Sequence, residues 1–354
     1  MIRPLSNEHP LIVYGASGAT GRLIVEVARA RGLPLALAGR SRTSLEALGA
    51  GLPILTAGVD DPAGLAAMAA RGSVVLNAAG PFEQTGVPLA QAALAGGAAY
   101  VDVGGEVEVL VAQQALDARA RAAGLPLVCA AGYGVTAGEG LALHVAGRAP
   151  GARKLRLGLD TYVGHHSAGA SRSTIAGLKR GSYEIAEGRI RRTVIADRPW
   201  TIDLDGESFL FAGAPLAEAW AAALSSGVAQ VRVGIRTRRA LIPVFRMAAL
   251  AARIGAVERF MARRATSEPS GEGEGGVAAG RRSTLIAEAW GENGAQAASA
   301  LVIRREGYAV SAEIAVSAAQ ATVASSLSGF HTPGSAFGAD FILGVRGVDR
   351  RDLA

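Results

Sequence analysis

The sequence is poor in the residues that staple small domains or read nucleic acids. Of 354 residues one is cysteine, Cys129, which excludes a disulfide framework, a cysteine-based zinc site and an iron-sulfur cluster and fits a reducing compartment. Lysine occurs only as Lys154 and Lys179, and aromatic residues make up 5%. No helix-turn-helix, zinc-finger or aromatic-rich RNA motif accompanies the formal charge of +6, so nucleic acid is not an expected partner. The charge is local: residues 230–264 hold nine arginines against Glu258 alone. Long uninterrupted apolar runs are missing as well. The longest candidate, 241–261, is broken by Arg246, Arg253 and Arg259, which argues against a membrane span. The opening MIRPLSNEHPLIVYG enters a strand pattern without the apolar segment of a secretory signal, so the expected location is cytoplasmic.

What is present is a strongly folding composition, with 50% hydrophobic and 19% charged residues and a mean hydropathy of +0.27. At roughly 150 residues per domain the length suggests two domains. From Leu11 to Pro150 short apolar runs alternate with helical patterns. The runs are LIVYG (11–15), LALAG (35–39), PILTAG (53–58), VVLNAAG (74–80), AYVDVG (99–104) and PLVCAAG (126–132). Strands alternating with helices predict a doubly wound parallel sheet, an α/β Rossmann domain over 1–150. After Pro150 the rhythm changes, and an α+β domain for substrate or dimerisation is expected over 151–325, followed by a C-terminal segment, 326–354.

The sharpest local signal is Gly15-Ala16-Ser17-Gly18-Ala19-Thr20-Gly21, set between an apolar strand and a helix pattern. Glycines there permit a tight turn and let the backbone approach a pyrophosphate at the helix N-terminus, so Gly15, Ser17, Gly18, Ala19, Thr20 and Gly21 are candidate dinucleotide ligands. At the end of the second strand, where an acid would bond the ribose hydroxyls of NAD, the chain has Arg40, Ser41 and Arg42. Two cations and a hydroxyl suit a 2′-phosphate, which makes NADP(H) the expected cofactor. Asp60 can accept from the adenine amine or serve as an exposed turn residue. Asn77, Ala79, Gly80 and Pro81, after the fourth strand, complete the expected cofactor edge, with Phe82 beside it on the substrate side.

These residues, together with Tyr100-Val101-Asp102-Val103-Gly104-Gly105-Glu106 and the order GASGATGR, AGRSRTSLEAL, VLNAAGPF, YVDVGGE, PLVCAAGYG, resemble the saccharopine dehydrogenase-like family, which includes trans-acting enoyl reductases. The resemblance covers roughly the first 145 residues, and the closing GFHTPGSAFGADFIL is similar to the family's last segment. It implies an NADP-binding Rossmann domain, a smaller α+β domain and a C-terminal segment that returns to the nucleotide domain. It also implies reduction of an activated double bond, on a carrier-bound or lipid-like acyl chain, or reduction of an imine in saccharopine-type chemistry; a non-catalytic NADP sensor is the alternative. The chain departs from the family after the sixth strand, where Gly132-Tyr133-Gly134-Val135-Thr136 replaces a Phe-Asp pair and a proline.

None of the six tyrosines is followed four residues later by lysine, so the Tyr-Lys pair of short-chain dehydrogenases is absent. A proton must come from elsewhere. Tyr133 and His165 are the candidate donors, each with a structural alternative as pocket wall or solvated loop residue. Tyr162, His166, Ser171 and Arg172 are candidate substrate contacts, the serine and arginine at an expected helix start. No metal site is expected. Glu106 opens a helix and can act there as a dipole partner or in catalysis. Residues 236–264 read as a basic amphipathic helix that can rest on its own domain, an anionic membrane surface or an acyl carrier protein.

Overall fold

The alternation of apolar runs and helical segments folds as a parallel sheet. The structure is a computed structural model, and the residues it describes are 2–48, 51–161, 180–251 and 282–353. β1 (Leu11–Tyr14), β2 (Leu35–Gly39), β3 (Ile54–Thr56), β4 (Val74–Asn77), β5 (Ala99–Asp102) and β6 (Pro126–Val128) each form inside an expected run. Among the described residues the sheet has seven strands in the order β15-β6-β5-β4-β1-β2-β3, all parallel, with β15 at Gly329–His331. The order reverses between β1 and β4, which makes the carboxyl ends of these two strands the switch point. Leu11, Ile12, Val13, Val74, Val75 and Leu76 are fully buried, as strands covered on both faces must be. α1 (Ala19–Ala30) supplies part of that cover by burying Gly21, Ile24, Val25 and Ala28, a single helical stripe. Burial of Ile24 and of Val25 stabilises by about 1.5–3 kcal/mol each.

The other crossovers are α2 (Arg42–Glu46), α3 (Pro62–Ala69), α4 (Phe82–Gly96), α5 (Val107–Gln114) and α6 (Asp117–Ala123). α7 (Tyr133–Arg148) follows β6 and runs from the first compact unit into the second.

The two units differ from the sequence expectation at their boundaries. One comprises 1–136 and 308–337, the other 137–307 and 338–354. The first segment of the Rossmann unit thus ends at 136, inside α7, where the sequence rhythm had put the change at 150. The helix Gly307–Ala324, expected in the second domain, belongs to the first from Tyr308 onward. Its Ser317 Oγ and Gln320 Oε1 accept from Arg31 Nη1 at 3.0 and 2.9 Å. The C-terminal segment is divided: β15 joins the first sheet, where the Cys129 N–H donates to the His331 carbonyl at 2.9 Å and the Phe330 N–H to Asp117 Oδ1 at 2.8 Å. Residues beyond 337 belong to the second unit.

The second unit is built on a mixed sheet in the order β10-β11-β12-β7-β13-β14-β16, with β8 and β9 attached beside β12. These strands are β7 (Lys154–Asp160), β8 (Ser182–Ala186), β9 (Arg189–Thr193), β10 (Trp200–Leu204), β11 (Glu207–Gly213), β12 (Gln230–Arg236), β13 (Ser283–Trp290), β14 (Gln296–Ile303) and β16 (Val348–Leu353). The β10–β11 hairpin closes one core with Trp200, Ile202, Leu204, Phe209, Phe211, Ile286 and Ala300. The single helix expected over 236–264 does not form as such. Arg236 ends a strand and ion-pairs with Asp160 at 2.6 Å and with Glu207, a 3-10 turn covers Arg239–Leu241, and a helix covers Ile242–Ala251. Arg246 donates to the Ala196 carbonyl at 3.1 Å, while Arg253 and Arg264 lie outside the described residues. No described helix is long and apolar enough to cross a membrane.

Candidate functional site

The glycine turn is shaped by contacts that only glycine permits. Gly15 sits at φ 82°, and a Cβ there would fall 2.8 Å from the backbone and methyl of Ala79 in the loop after β4. A Cβ on Gly21 would strike the Gly15 carbonyl and come within 2.9 Å of Ala16 Cα, so the start of α1 lies directly on the end of β1. The Gly15 N–H donates to the Ala38 carbonyl at 2.9 Å and the Gly18 N–H to the Gly15 carbonyl at 3.0 Å, which fixes the turn. Gly18 caps α1 with no side-chain hydrogen bond, and the first turn holds no acid. The helix N-terminus thus presents N–H groups and positive dipole to solvent over half-buried Ser17 and Thr20, the arrangement that binds phosphate.

On the adenine side, burial pushes the Tyr14 phenol up, Arg40 opposes this and Asp60 adds to it, which sets both charged residues around the end of β1. Tyr14 itself donates to the Ala57 carbonyl at 3.0 Å. Arg40, Ser41, Arg42 and Asp60 are all exposed. They are not equivalent. Ser41 Oγ accepts the Ser44 N–H at 3.3 Å and caps α2, and Arg42 leans along that helix to Glu46 at 3.6 Å.

On the other side of the switch point the loops after β4, β5 and β6 form a continuous edge. Asn77 does not face out as a cofactor ligand would. It is fully buried, donates to Thr85 Oγ1 and to the Tyr100 hydroxyl, each at 3.2 Å, and accepts the Ala79 N–H at 2.9 Å, so it acts by holding the turn Ala79-Gly80-Pro81. Phe82, half-buried, lays its ring on Gly104, where a Cβ would meet it at 3.4 Å. Glu106 Oε2 accepts the neighbouring Gly105 N–H at 2.9 Å. Tyr133 is 7% exposed at the first position of α7, its N–H donating to Ser311 Oγ at 3.1 Å.

Beneath this edge lies a polar cluster that sequence reading missed. Asp102, 1% exposed, accepts through Oδ1 from the Gly104 N–H at 2.9 Å and the Ala130 N–H at 2.8 Å, and through Oδ2 from Gln113 Nε2 at 2.5 Å. Burial pushes its carboxyl up, against the pull of those donors, and also pushes up the Tyr100 phenol and the Cys129 thiol. The signal was an acid as the last residue of a buried strand, a place where a charge survives only with several donors.

Of the other candidates, Tyr162, His165, His166, Ser171 and Arg172 lie outside the described residues. Among the described residues no group of three His, Cys, Asp or Glu side chains converges as a metal site. His144 Nε2 pairs with Asp352 at 2.7 Å and is a structural histidine.

The profile of the saccharopine dehydrogenase NADP binding domain matches residues 11–128. Over these residues the chain is similar to a saccharopine dehydrogenase NADP binding domain. The glycine cradle, the uncapped α1 and the cations after β2 fit such a cofactor, and the NADP-binding domain lies wholly inside the first compact unit. A Mycobacterium tuberculosis protein that carries a trans-acting enoyl reductase name is 44% identical over 108 residues, 28% of this chain and 26% of that one. A human saccharopine dehydrogenase-like oxidoreductase is 37% identical over 125 residues, 29% of each chain. The chain thus spans about a quarter to a third of the length of the curated relatives it matches. The apo saccharopine dehydrogenase (L-Glu forming) of Saccharomyces cerevisiae shares the fold beyond the NADP-binding domain, with a TM-score of 0.60 over 97% of this chain and 99% of that one at 12% identity.

Proposed function

We propose that this protein is an NADPH-dependent reductase of activated carbon-carbon double bonds, acting on a carrier-bound or lipid-like acyl chain. The observation that supports the cofactor half is the anion cradle at the N-terminus of α1, joined to exposed Arg40 at the end of β2. The 44% identity to a relative with an enoyl reductase name supports the reaction class. NADPH, when bound, supplies the hydride. The chain's own residues do the rest. The N–H groups of the Gly15–Gly21 turn hold the pyrophosphate, Arg40 and Ser41 hold the 2′-phosphate, and Asn77 keeps the Ala79–Pro81 turn in place. Tyr133, buried where α7 begins, holds the proton destined for the α-carbon of the acyl group.

The exposed apolar side chains Leu241, Val244, Met247 and Leu250, with Arg238 and Arg239 nearby in sequence, support contact with a lipid or carrier surface.

The test is oxidation of NADPH by the purified protein with an α,β-unsaturated acyl thioester, and separately with an imine formed from an α-keto acid and an amine. Consumption with the thioester supports the reading. Consumption with the imine alone moves the substrate to the saccharopine class, and tight NADPH binding with neither substrate consumed overturns the proposed reaction.

A further inference from the structure

We propose that Asp102 is a positioning residue for the nicotinamide half of the coenzyme, which it serves by tying together the loops that follow β5 and β6. The proposal rests on the NADPH reading. One carboxylate oxygen takes N–H groups from both loops, Gly104 at 2.9 Å and Ala130 at 2.8 Å, and the other is held by Gln113 of α5 at 2.5 Å. The Asp102 carbonyl accepts a further N–H from Ala131 at 2.6 Å. The two loops therefore share one anchor.

Ala130 shows what the anchor does. It stands at φ 64°, a left-handed conformation that residues with a Cβ adopt only when their surroundings impose it. Its N–H points to Asp102, and the chain then passes through Gly132, where an added Cβ would meet the Val103 carbonyl at 3.0 Å, to Tyr133 at the start of α7. Release of the carboxylate would let Ala130 relax and carry the edge of the site with it.

The location decides which half of the ligand would feel this. The glycine turn and Arg40 follow β1 and β2, whereas Gly104 and Ala130 follow β5 and β6 across the switch point. A dinucleotide spans that point, so the anchor lies on the side away from the 2′-phosphate. A carboxylate needed only for folding would weaken both halves alike.

The experiment titrates wild type and Asp102→Asn with two probes, NADPH and adenosine 2′,5′-bisphosphate, which keeps the adenine and the 2′-phosphate but lacks nicotinamide. Expected for the variant are an NADPH Kd weakened about tenfold, the loss of one charge-assisted anchor, and a fragment Kd within about twofold of wild type. The fluorescence enhancement of bound NADPH should fall as well. In Asp102→Asn/Ala130→Gly the glycine adopts φ 64° without strain, so NADPH affinity should return toward wild type. Should Asp102→Asn not fold, Gln113→Leu, which leaves both backbone donors on Asp102, should give the same pattern at smaller amplitude. Unchanged NADPH binding, equal weakening of both probes, or no rescue by glycine overturns the proposal. Failure of wild type to bind either probe overturns the NADPH reading itself, a result distinct from failure of the anchor.

Discussion

Arg40 and Arg42 stand two residues apart and do different work. Arg42 follows α2 to Glu46, an exposed i,i+4 pair worth a few tenths of a kcal/mol, while Arg40 lies before the helix begins, within electrostatic reach of Tyr14. A 2′-phosphate would meet Arg40 first. Arg40→Ala should therefore weaken NADPH about tenfold and leave NADH nearly unchanged, whereas Arg42→Ala should shift neither by more than about twofold. Calorimetric titration with both coenzymes checks this, and an equal loss for NADPH and NADH in Arg40→Ala would show that the arginine supports the fold rather than the phosphate. The glycine turn was legible in the sequence because Gly15 and Gly21 each meet a local backbone requirement. Asn77 stood out in the sequence, but the direction of its side chain was not legible there. Its three hydrogen bonds go to Thr85, Tyr100 and Ala79, partners set by the packing of α4 and β5 that no single position reveals.

At the scale of elements, α2 is five residues long and depends on its cap. Ser41 Oγ holds both the Ser44 N–H, at 3.3 Å, and the Ser44 hydroxyl, at 3.0 Å. Ser41→Ala should cost about 1 kcal/mol and Ser41→Gly only a few tenths, measured by denaturant unfolding. Ser41→Asp separates the two roles of the residue: a carboxylate caps as well as a hydroxyl, so stability should hold, but its charge should repel a 2′-phosphate and weaken NADPH. Retained NADPH affinity in Ser41→Asp would remove Ser41 from the phosphate site. Six of the seven strands described in the first sheet could be read from sequence because each is a short apolar run between turn residues. β15 could not, since Gly329–His331 is three residues whose place depends on backbone bonds with Leu125 and Cys129 and on the Asp117 carboxylate, which accepts the Phe330 N–H. The helix Gly307–Ala324 was read as a helix but placed in the wrong unit. Its buried residues Val310, Ala312, Ile314, Ala315, Val316, Ala318 and Ala319 lie on too many sides for the pattern to point to one neighbour.

For the whole molecule, pH offers a handle on the second unit. Glu218 begins the helix Glu218–Ser226 and is 5% exposed, its Cγ so close to α7 that a Cβ on Gly138 would meet it at 3.0 Å. Burial pushes its carboxyl from 4.5 to about 7. A helix N-terminus favours the ionised form by about 0.3–1 kcal/mol, whereas the displacement corresponds to about 3 kcal/mol against it, so burial wins. The native state then holds a proton that the unfolded chain has lost between pH 4.5 and about 7. The stability from this group is full below pH 4.5, declines as pH rises and is gone above about 7. Glu218→Gln keeps the size and removes the charge. It should be more stable than wild type at pH 8, by up to about 3 kcal/mol, and differ little at pH 4.5, with the intervening slope reduced. Denaturant unfolding of both proteins across that range, followed by the fluorescence of Trp200, Trp220 and Trp290, which all lie in the second unit, measures the difference. Parallel pH profiles for the two proteins would mean that Glu218 is ionised in the folded state and is paired with a charge strong enough to offset its burial.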